Sequence, residues 1–286
     1  STTGSGNTAV GSVSLFVNTT GASNVAVGQE ALRYNTTASN NTAVGYQALV
    51  ANTTGANNVA IGKDALDSNT TGANNVAIGV DALQSNTTAD SNTAVGHSAL
   101  GANTTAGGNV AVGYLAMQDS TTAANATAVG YEALANNTTS NGNHAFGFRA
   151  LKACTTGSGN TAVGGSAGTA ITTGTANTVV GASALTANTT GANNVAVGDS
   201  SGAAVTTGSH NTCIGQDSGN GGVAITTGTG NSLLGTFSHT SAAGDNYANG
   251  IGYDINAAGG YTTVGKGGND IRAAHGNVTW ATVSDE

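Results

Sequence analysis

The chain is notable first for what it has little of. Of its 286 residues none is proline, 7% are charged, 4% are aromatic and two are cysteine. With so few aromatic side chains, the largest residues available for a core are Val, Ile and Leu. That composition excludes a thick globular core and favours a thin one, a single side chain deep and repeated many times.

Scarce basic residues and the lack of long apolar runs exclude two classes of partner. The chain has six Lys and Arg in total and a net charge of −8, whereas binding to phosphate backbones requires a basic stripe. No apolar run approaches the ~20 residues that span a bilayer. We therefore expect neither a nucleic-acid partner nor membrane insertion.

What the chain does contain is a repeat of 17 residues, seen clearly in NVAIGKDALDSNTTGAN between residues 58 and 74. A central glycine recurs at this spacing from Gly11 to Gly215 without insertion or deletion. So strict a register predicts that each unit stacks on the last in a fixed geometry, as in a solenoid. Cys154 and Cys213 fall at different positions of the repeat, which predicts single buried substitutions and no disulfide.

Within the repeat, Val or Ile before the glycine alternates with Ala, as in Val59-Ala60-Ile61. This period of two predicts a short strand with its β-branched residues facing the core. The Ala-Leu pair after the glycine predicts a second strand, whose leucine adds to the core. The Asn before each Thr-Thr predicts a ladder of side-chain amides between coils.

The alternating alanine would then face away from the core. Its near-invariance predicts a subunit interface, because a row of methyl groups lets another chain approach closely; a tight turn or thin section is the alternative. The candidate interface residues are Ala26, Ala43, Ala60, Ala77 and Ala94.

The pattern loosens after Gly198, where Gly202 and Gly219 replace the leucine, and the next central glycine, Gly235, arrives late. We predict an all-β fold, a parallel β-roll or β-solenoid of 17-residue coils over residues 1–235. Residues 236–286, which are richer in aromatics, are predicted to form an irregular C-terminal β segment that caps the coils.

Two stretches resemble known families. The strand motifs NNVAVG and NNVAIG resemble the head repeats of trimeric autotransporter adhesins of the YadA type. This resemblance covers roughly residues 1–235 and implies a left-handed parallel β-roll that assembles as a homotrimer.

The C-terminal stretch VGKGGNDIRAAHGNVTWATVSDE is similar to the segment that leads into the intramolecular chaperone domain of phage tail fibres, tail spikes and endosialidases. In that family the chaperone trimerises the fibre and cuts itself off at a serine, which Ser284 would match. The resemblance implies a trimeric tail fibre located in the virion or outside the cell. Because the sequence stops at Glu286, the chaperone body is absent and no self-cleavage is expected.

One column of the repeat varies freely, directly after the central glycine. Exposed Tyr and His at such positions can stack on sugar rings, and the C-terminal aromatics offer a second surface; an unconstrained solvent-facing corner is the alternative. The candidate receptor-binding residues are Tyr46, His97, Tyr114, Tyr131, Phe148, Tyr247, Tyr253 and Tyr261.

No arrangement of residues indicates catalysis, a metal or a cofactor. The histidines lack carboxylate or cysteine partners at ligand spacing. The acidic residues after the glycine are interrupted by Gln47, Ser98 and Leu115, so they do not make the paired acids of a glycosidase. We expect a protein that is not an enzyme.

The functional expectation is a structural and adhesive fibre protein that attaches to a host cell-surface polysaccharide through repeated weak contacts. The first alternative is a structural spacer that carries a receptor-binding tip. A weaker alternative is an ice-binding solenoid built on the Thr-Thr pairs, which place a single threonine column outward where two would be wanted.

Overall fold

A computed structural model describes residues 3–267, 270–276 and 281–283. Throughout these residues the structure is strands and turns, without helix. The chain divides into two compact units, Ser1–Asn143 and His144–Glu286. Both are parallel β-solenoids, which confirms the predicted fold class.

Each coil from β1 to β13 carries one strand of three residues, and the later strands have two to six residues. In the first unit the strands are β1 (Thr8–Val10), β2 (Val25–Val27), β3 (Thr42–Val44), β4 (Val59–Ile61), β5 (Val76–Ile78), β6 (Thr93–Val95), β7 (Val110–Val112) and β8 (Thr127–Val129). In the second unit they are β9 (His144–Phe146), β10 (Thr161–Val163), β11 (Thr178–Val180), β12 (Val195–Val197), β13 (Thr212–Ile214), β14 (Ser232–Leu234), β15 (His239–Thr240), β16 (Asn249–Tyr253), β17 (Asn256–Ala257), β18 (Tyr261–Lys266), β19 (Asp270–Ala274) and β20 (Ala281–Val283).

The strands stack in parallel at the register of the repeat. Within the first unit β3 pairs with β4 so that Ala43 lies opposite Ala60, and the other neighbouring strands pair in the same way. Strands bonded like this lie about 4.8 Å apart. Every repeat position therefore becomes a column of side chains along the unit.

The strand faces the opposite way from the prediction. In β4, Ala60 is completely buried, whereas Ile61 is 39% exposed and Val59 is half-buried. Ala26, Ala43, Ala77 and Ala94 are completely buried too, inside a single chain. The alanine column is therefore core, and its assignment to a subunit interface is wrong.

The physical reason is the width of the coil. A methyl group placed at Gly202, which occupies the leucine position of its coil, would lie 3.7 Å from the Ala196 side chain. The leucine and the alanine thus face each other across the interior. Since Leu32, Leu49 and Leu66 are completely buried, the leucine fills most of the interior of its coil and leaves room for only a methyl group on the opposite side.

The leucine segment is not the second strand that was predicted. Asp64 and Leu66 have φ of 55° and 52°, in the left-handed region. Asp64 N donates to the Tyr46 carbonyl of the preceding coil at 2.9 Å, and Leu66 N donates to the Ala82 carbonyl of the following coil at 3.0 Å. This turn satisfies its backbone groups between coils as a strand would, although Leu66 is not a residue that favours the left-handed region.

The predicted asparagine ladder is present. Asn69 Nδ2 donates to Asn52 Oδ1 at 3.0 Å and to the Gly72 carbonyl at 3.0 Å, and Asn86 Nδ2 donates to Asn69 Oδ1 at 2.9 Å. The Asn that precedes most of the strands forms a second buried ladder, which the sequence reasoning missed. Asn58 Nδ2 donates to the same Gly72 carbonyl at 2.8 Å, so both ladders stabilise the same corner of the coil.

The coils that lack leucine are repacked from another position. Gly168, Gly202 and Gly219 stand at the leucine position, and the same coils carry Ile171, Val205 and Ile225, all completely buried. Where a methyl group is placed on Gly219 it lies 3.5 Å from Ile225 Cδ1. What looks like a loosening of the repeat in the sequence is therefore a replacement: the leucine position loses its side chain, and the position before the Thr-Thr pair supplies an aliphatic one to the core.

Parallel stacking in the second unit continues past residue 235. The pairing of β13 with β14 accommodates three extra residues, as Thr212 lies opposite Ser232, and β14 then pairs with β16 at the usual register. A shorter coil follows between β16 and β18. Among the described strands, β18 pairs with β19 and β19 with β20 in the antiparallel direction, and these are the irregular strands at the C-terminal end.

Candidate functional site

The variable residue after each glycine projects at the outer end of its strand. Tyr46, Tyr114, Tyr131 and Phe148 are between 42% and 50% exposed, and His97 is exposed as well. The backbone explains why this position varies: the glycine before it turns the chain out of the strand, and the next residue contributes nothing to the core.

Three of the candidates form one stacked column in the first unit. The His97 and Tyr114 ring centroids are 5.4 Å apart with the planes inclined by 25°, and those of Tyr114 and Tyr131 are 5.2 Å apart and inclined by 13°. Their stacking follows from the coil register, since rings at one repeat position are about one strand spacing apart. We call His97, Tyr114 and Tyr131 the aromatic column.

Tyr46 does not belong to that column. Lys63 and Val80 occupy the two coils between it and His97. Lys63 Nζ lies 2.8 Å from Asp64 Oδ2, and this hydrogen bond and charge raise the pKa of the lysine. Tyr46 is thus an isolated exposed ring.

The candidates of the second unit lie on separate coils and have other partners. The Arg149 guanidinium is 4.9 Å from the Phe148 ring centroid. Tyr253 meets Phe237 edge to face, with centroids 5.9 Å apart, and Lys266 Nζ is 5.8 Å from its ring.

Two tyrosines complete the second unit's set. Arg272 is 5.7 Å from the Tyr261 ring, and Tyr247 is 64% exposed. In the second unit, therefore, a cation accompanies three of the four candidate rings, Phe148, Tyr253 and Tyr261.

The ionisable groups near these columns have structural partners. Glu30 accepts from Gln47 Nε2 at 2.8 Å and pairs with Arg33 at 3.3 Å. Burial raises the pKa of Asp67 and raises that of the Cys213 thiol to about 12. Ser68 Oγ donates to Asp67 Oδ1 at 2.9 Å, and the Asp64 carboxylate acts on the same group.

Metal-binding clusters and membrane-spanning helices are not found in the described part of the chain. No group of three His, Cys, Asp or Glu side chains there is arranged to hold an ion, and no helix there is long and apolar enough to cross a bilayer. Both cysteines are buried and are not joined in a disulfide. Ser284, the residue matched to the chaperone cleavage site, lies outside the described residues.

Comparison of the chain with protein-family models, with characterised proteins and with solved structures gave no match. The geometry of the site and the sequence resemblances are therefore the basis of the functional proposal.

Proposed function

We propose that this chain is part of an extracellular or virion attachment fibre that binds a cell-surface polysaccharide through the aromatic column. The observation that carries the proposal is the stacking of His97, Tyr114 and Tyr131 as exposed rings on consecutive coils. Such a column presents a row of ring edges with polar tips, which suits the C–H groups and hydroxyls of sugar rings.

The rigidity of the framework supports the same proposal. The coil interior is closed by buried Leu, Ala and hydrogen-bonded Asn, so the column needs little ordering when a ligand binds. Its repeat along the unit also suits a polymeric ligand, because several weak contacts on one chain combine into a stronger one. Phage tail fibres, which the C-terminal stretch resembles, are attachment proteins.

The aromatic column is tested by exchanging its tyrosines for serine. We expect Tyr114→Ser with Tyr131→Ser to abolish binding to host cells and to immobilised surface polysaccharide, measured by pull-down and by biolayer interferometry. Both side chains are largely exposed, so the circular dichroism spectrum and melting temperature should hardly change.

Tyr34→Ser is the matched control. Tyr34 is 46% exposed but lies outside the column, with Arg33 5.0 Å from its ring. Binding by this variant should equal that of the wild type. Equal binding by the double variant would contradict the proposal and favour a spacer that carries its receptor-binding surface elsewhere.

We further propose that the fibre is a homotrimer that packs through the outer faces of its strands. With alanine inside, the outward columns of the first unit hold Val, Ile and Thr without a charged residue. Ile61 and Ile78 are adjacent in these columns and are 39% and 37% exposed. Copies of one chain present the same spacing, so such columns can interdigitate in register, and exposed apolar patches of this kind mark interaction surfaces.

Light scattering of the purified chain tests the assembly. We expect a mass of three times the 27.3 kDa of one chain, and a monomer for the double variant Ile61→Lys with Ile78→Lys, because each interface would bury uncompensated charges. A monomeric wild type would overturn the trimer but leave the aromatic column to be judged by its own binding assay.

A further inference from the structure

The first unit has a polar cleft beside the aromatic column. Its volume is about 220 Å³, and it is lined by Gln84, Ser98, Gly101, Gln118 and Asp119, with Ser85 and Ala102 at its edges. That is smaller than the roughly 300–1,000 Å³ of pockets for drug-sized ligands, and it suits a single sugar ring. We call it the Gly101 cleft.

The cleft exists because one coil lacks a side chain. The fifth residue after the central glycine is Arg33, Val50, Asp67, Gln84 and Gln118 in other coils of the unit, but Gly101 here. The backbone does not demand this glycine: its φ is not positive, and a methyl group there would come no closer than 3.3 Å to any atom, the Ser98 carbonyl oxygen being nearest. Glycine opens a gap between the glutamines of the flanking coils.

A hydrogen bond joins the cleft to the aromatic column. Ser98, which lines the cleft, has its Oγ 3.0 Å from His97 Nδ1, and the His97 ring stacks on Tyr114. A ligand seated in the cleft is therefore beside the first ring of the column. The two features form one continuous surface, in which the polar groups of the cleft are followed by the ring edges and polar tips of the column.

Two of the polar side chains that line the cleft are free to bind a ligand. Gln118 and Asp119 have no side-chain hydrogen bond to any described residue, whereas the Gln84 side chain is hydrogen-bonded to the Asp67 carboxylate. An amide both donates and accepts, and a carboxylate accepts from two hydroxyls. Asp119 is the one charged residue that lines the cleft, which disfavours anionic sugars.

We propose that the Gly101 cleft is the specificity subsite of the fibre, which binds one neutral pyranose ring while the adjoining residues of the polysaccharide lie along the aromatic column. Gln118 and Asp119 would recognise its hydroxyls, and His97 would stack on the neighbouring ring. This inference rests on the proposed carbohydrate attachment and adds the class of sugar and the residues that select it.

The test fills the cleft without disturbing the coil. Gly101→Gln supplies the residue that both flanking coils carry at this position, so the fold should be retained. Val50→Gln introduces a glutamine at the equivalent repeat position of a coil three coils away, and it is the matched control. Binding is measured on an array of neutral and acidic bacterial polysaccharides and of pyranose oligosaccharides, followed by calorimetry with an oligosaccharide that responds.

We expect wild type and Val50→Gln to bind neutral glycans in preference to acidic ones, and Gly101→Gln to lose affinity about tenfold or more, as removal of one or two good hydrogen bonds would produce. If Gly101→Gln binds like the wild type while the Tyr114, Tyr131 double variant does not, the cleft proposal is wrong and the column stands. A preference for acidic glycans would also contradict it. If the wild type binds no glycan, both proposals fall.

Discussion

Gly62→Ala is expected to lower the free energy of unfolding by about 3 kcal/mol or more, the largest effect we predict for adding one methyl group. Gly62 has a φ of 138°, and a Cβ there would lie 2.3 Å from the Gly79 carbonyl oxygen of the next coil. The strained backbone contributes about 1–3 kcal/mol and overpacking a further 1–3 kcal/mol or so. Thermal unfolding followed by circular dichroism should show a melting point lower by about 6 °C or more.

Gly165→Ala is the control for that experiment. Gly165 has no positive φ, and a methyl group there would meet no atom within 4 Å. Its melting point should match the wild type. Equal melting temperatures for Gly62→Ala and Gly165→Ala would show that neighbouring coils can move apart at the central glycine. That result would contradict the explanation that close contact between coils requires a glycine at this position of every repeat.

Ala60→Gln is the second change with a large expected effect. Ala60 is completely buried, in space that the leucine opposite limits to a methyl group. A glutamine there overpacks the coil by about 1–3 kcal/mol and buries an amide without partners for about 1–3 kcal/mol more. We expect a chain that melts at least about 4 °C lower, by about 2 °C or more per kcal/mol, or that does not fold.

Thr54→Gln places the same side chain on an exposed position of the adjoining coil and should change the stability by no more than about 0.5 kcal/mol. The pair also separates the two interpretations of the alanine column. If alanine lined a subunit interface, Ala60→Gln would give a folded monomer with native circular dichroism. That result would contradict its place in the core.

Much of the architecture could be read from the sequence because it depends on spacing. A repeat of constant length can stack only at one register, which predicted the parallel pairing of Ala43 with Ala60. The ladder of Asn52, Asn69 and Asn86 follows from the same register. So does the column of variable residues, whose members had to lie above one another once the coils stacked.

The direction in which each strand faces was not readable from its pattern. A three-residue strand such as Val59-Ala60-Ile61 has β-branched residues on one side and a methyl on the other, and propensity favours the larger ones as core. The choice depends on what lies opposite. Leu66 already fills most of the interior of the coil, so only the smallest side chain of the strand fits there.

The aromatic site was half predicted. Tyr114 and Tyr131 were candidates because they occupy a variable column, and the interruption of that column by Lys63 and Val80 is visible in the sequence. Which rings stack on one another and which lie beside a cation depends on the neighbour that each side chain contacts. The Gly101 cleft was missed. Its signal in the sequence is a glycine in a column where the other coils carry larger residues.

By itself the sequence determined the period, the parallel stacking, the amide ladder and the thin aliphatic core, because these follow from spacing and residue size alone. The tertiary structure decided which face of each strand is buried, that the leucine turn adopts left-handed backbone, and which exposed rings meet. Those outcomes depend on the volume left across the coil and on contacts between residues 16 to 18 positions apart, which the pattern within one repeat does not contain.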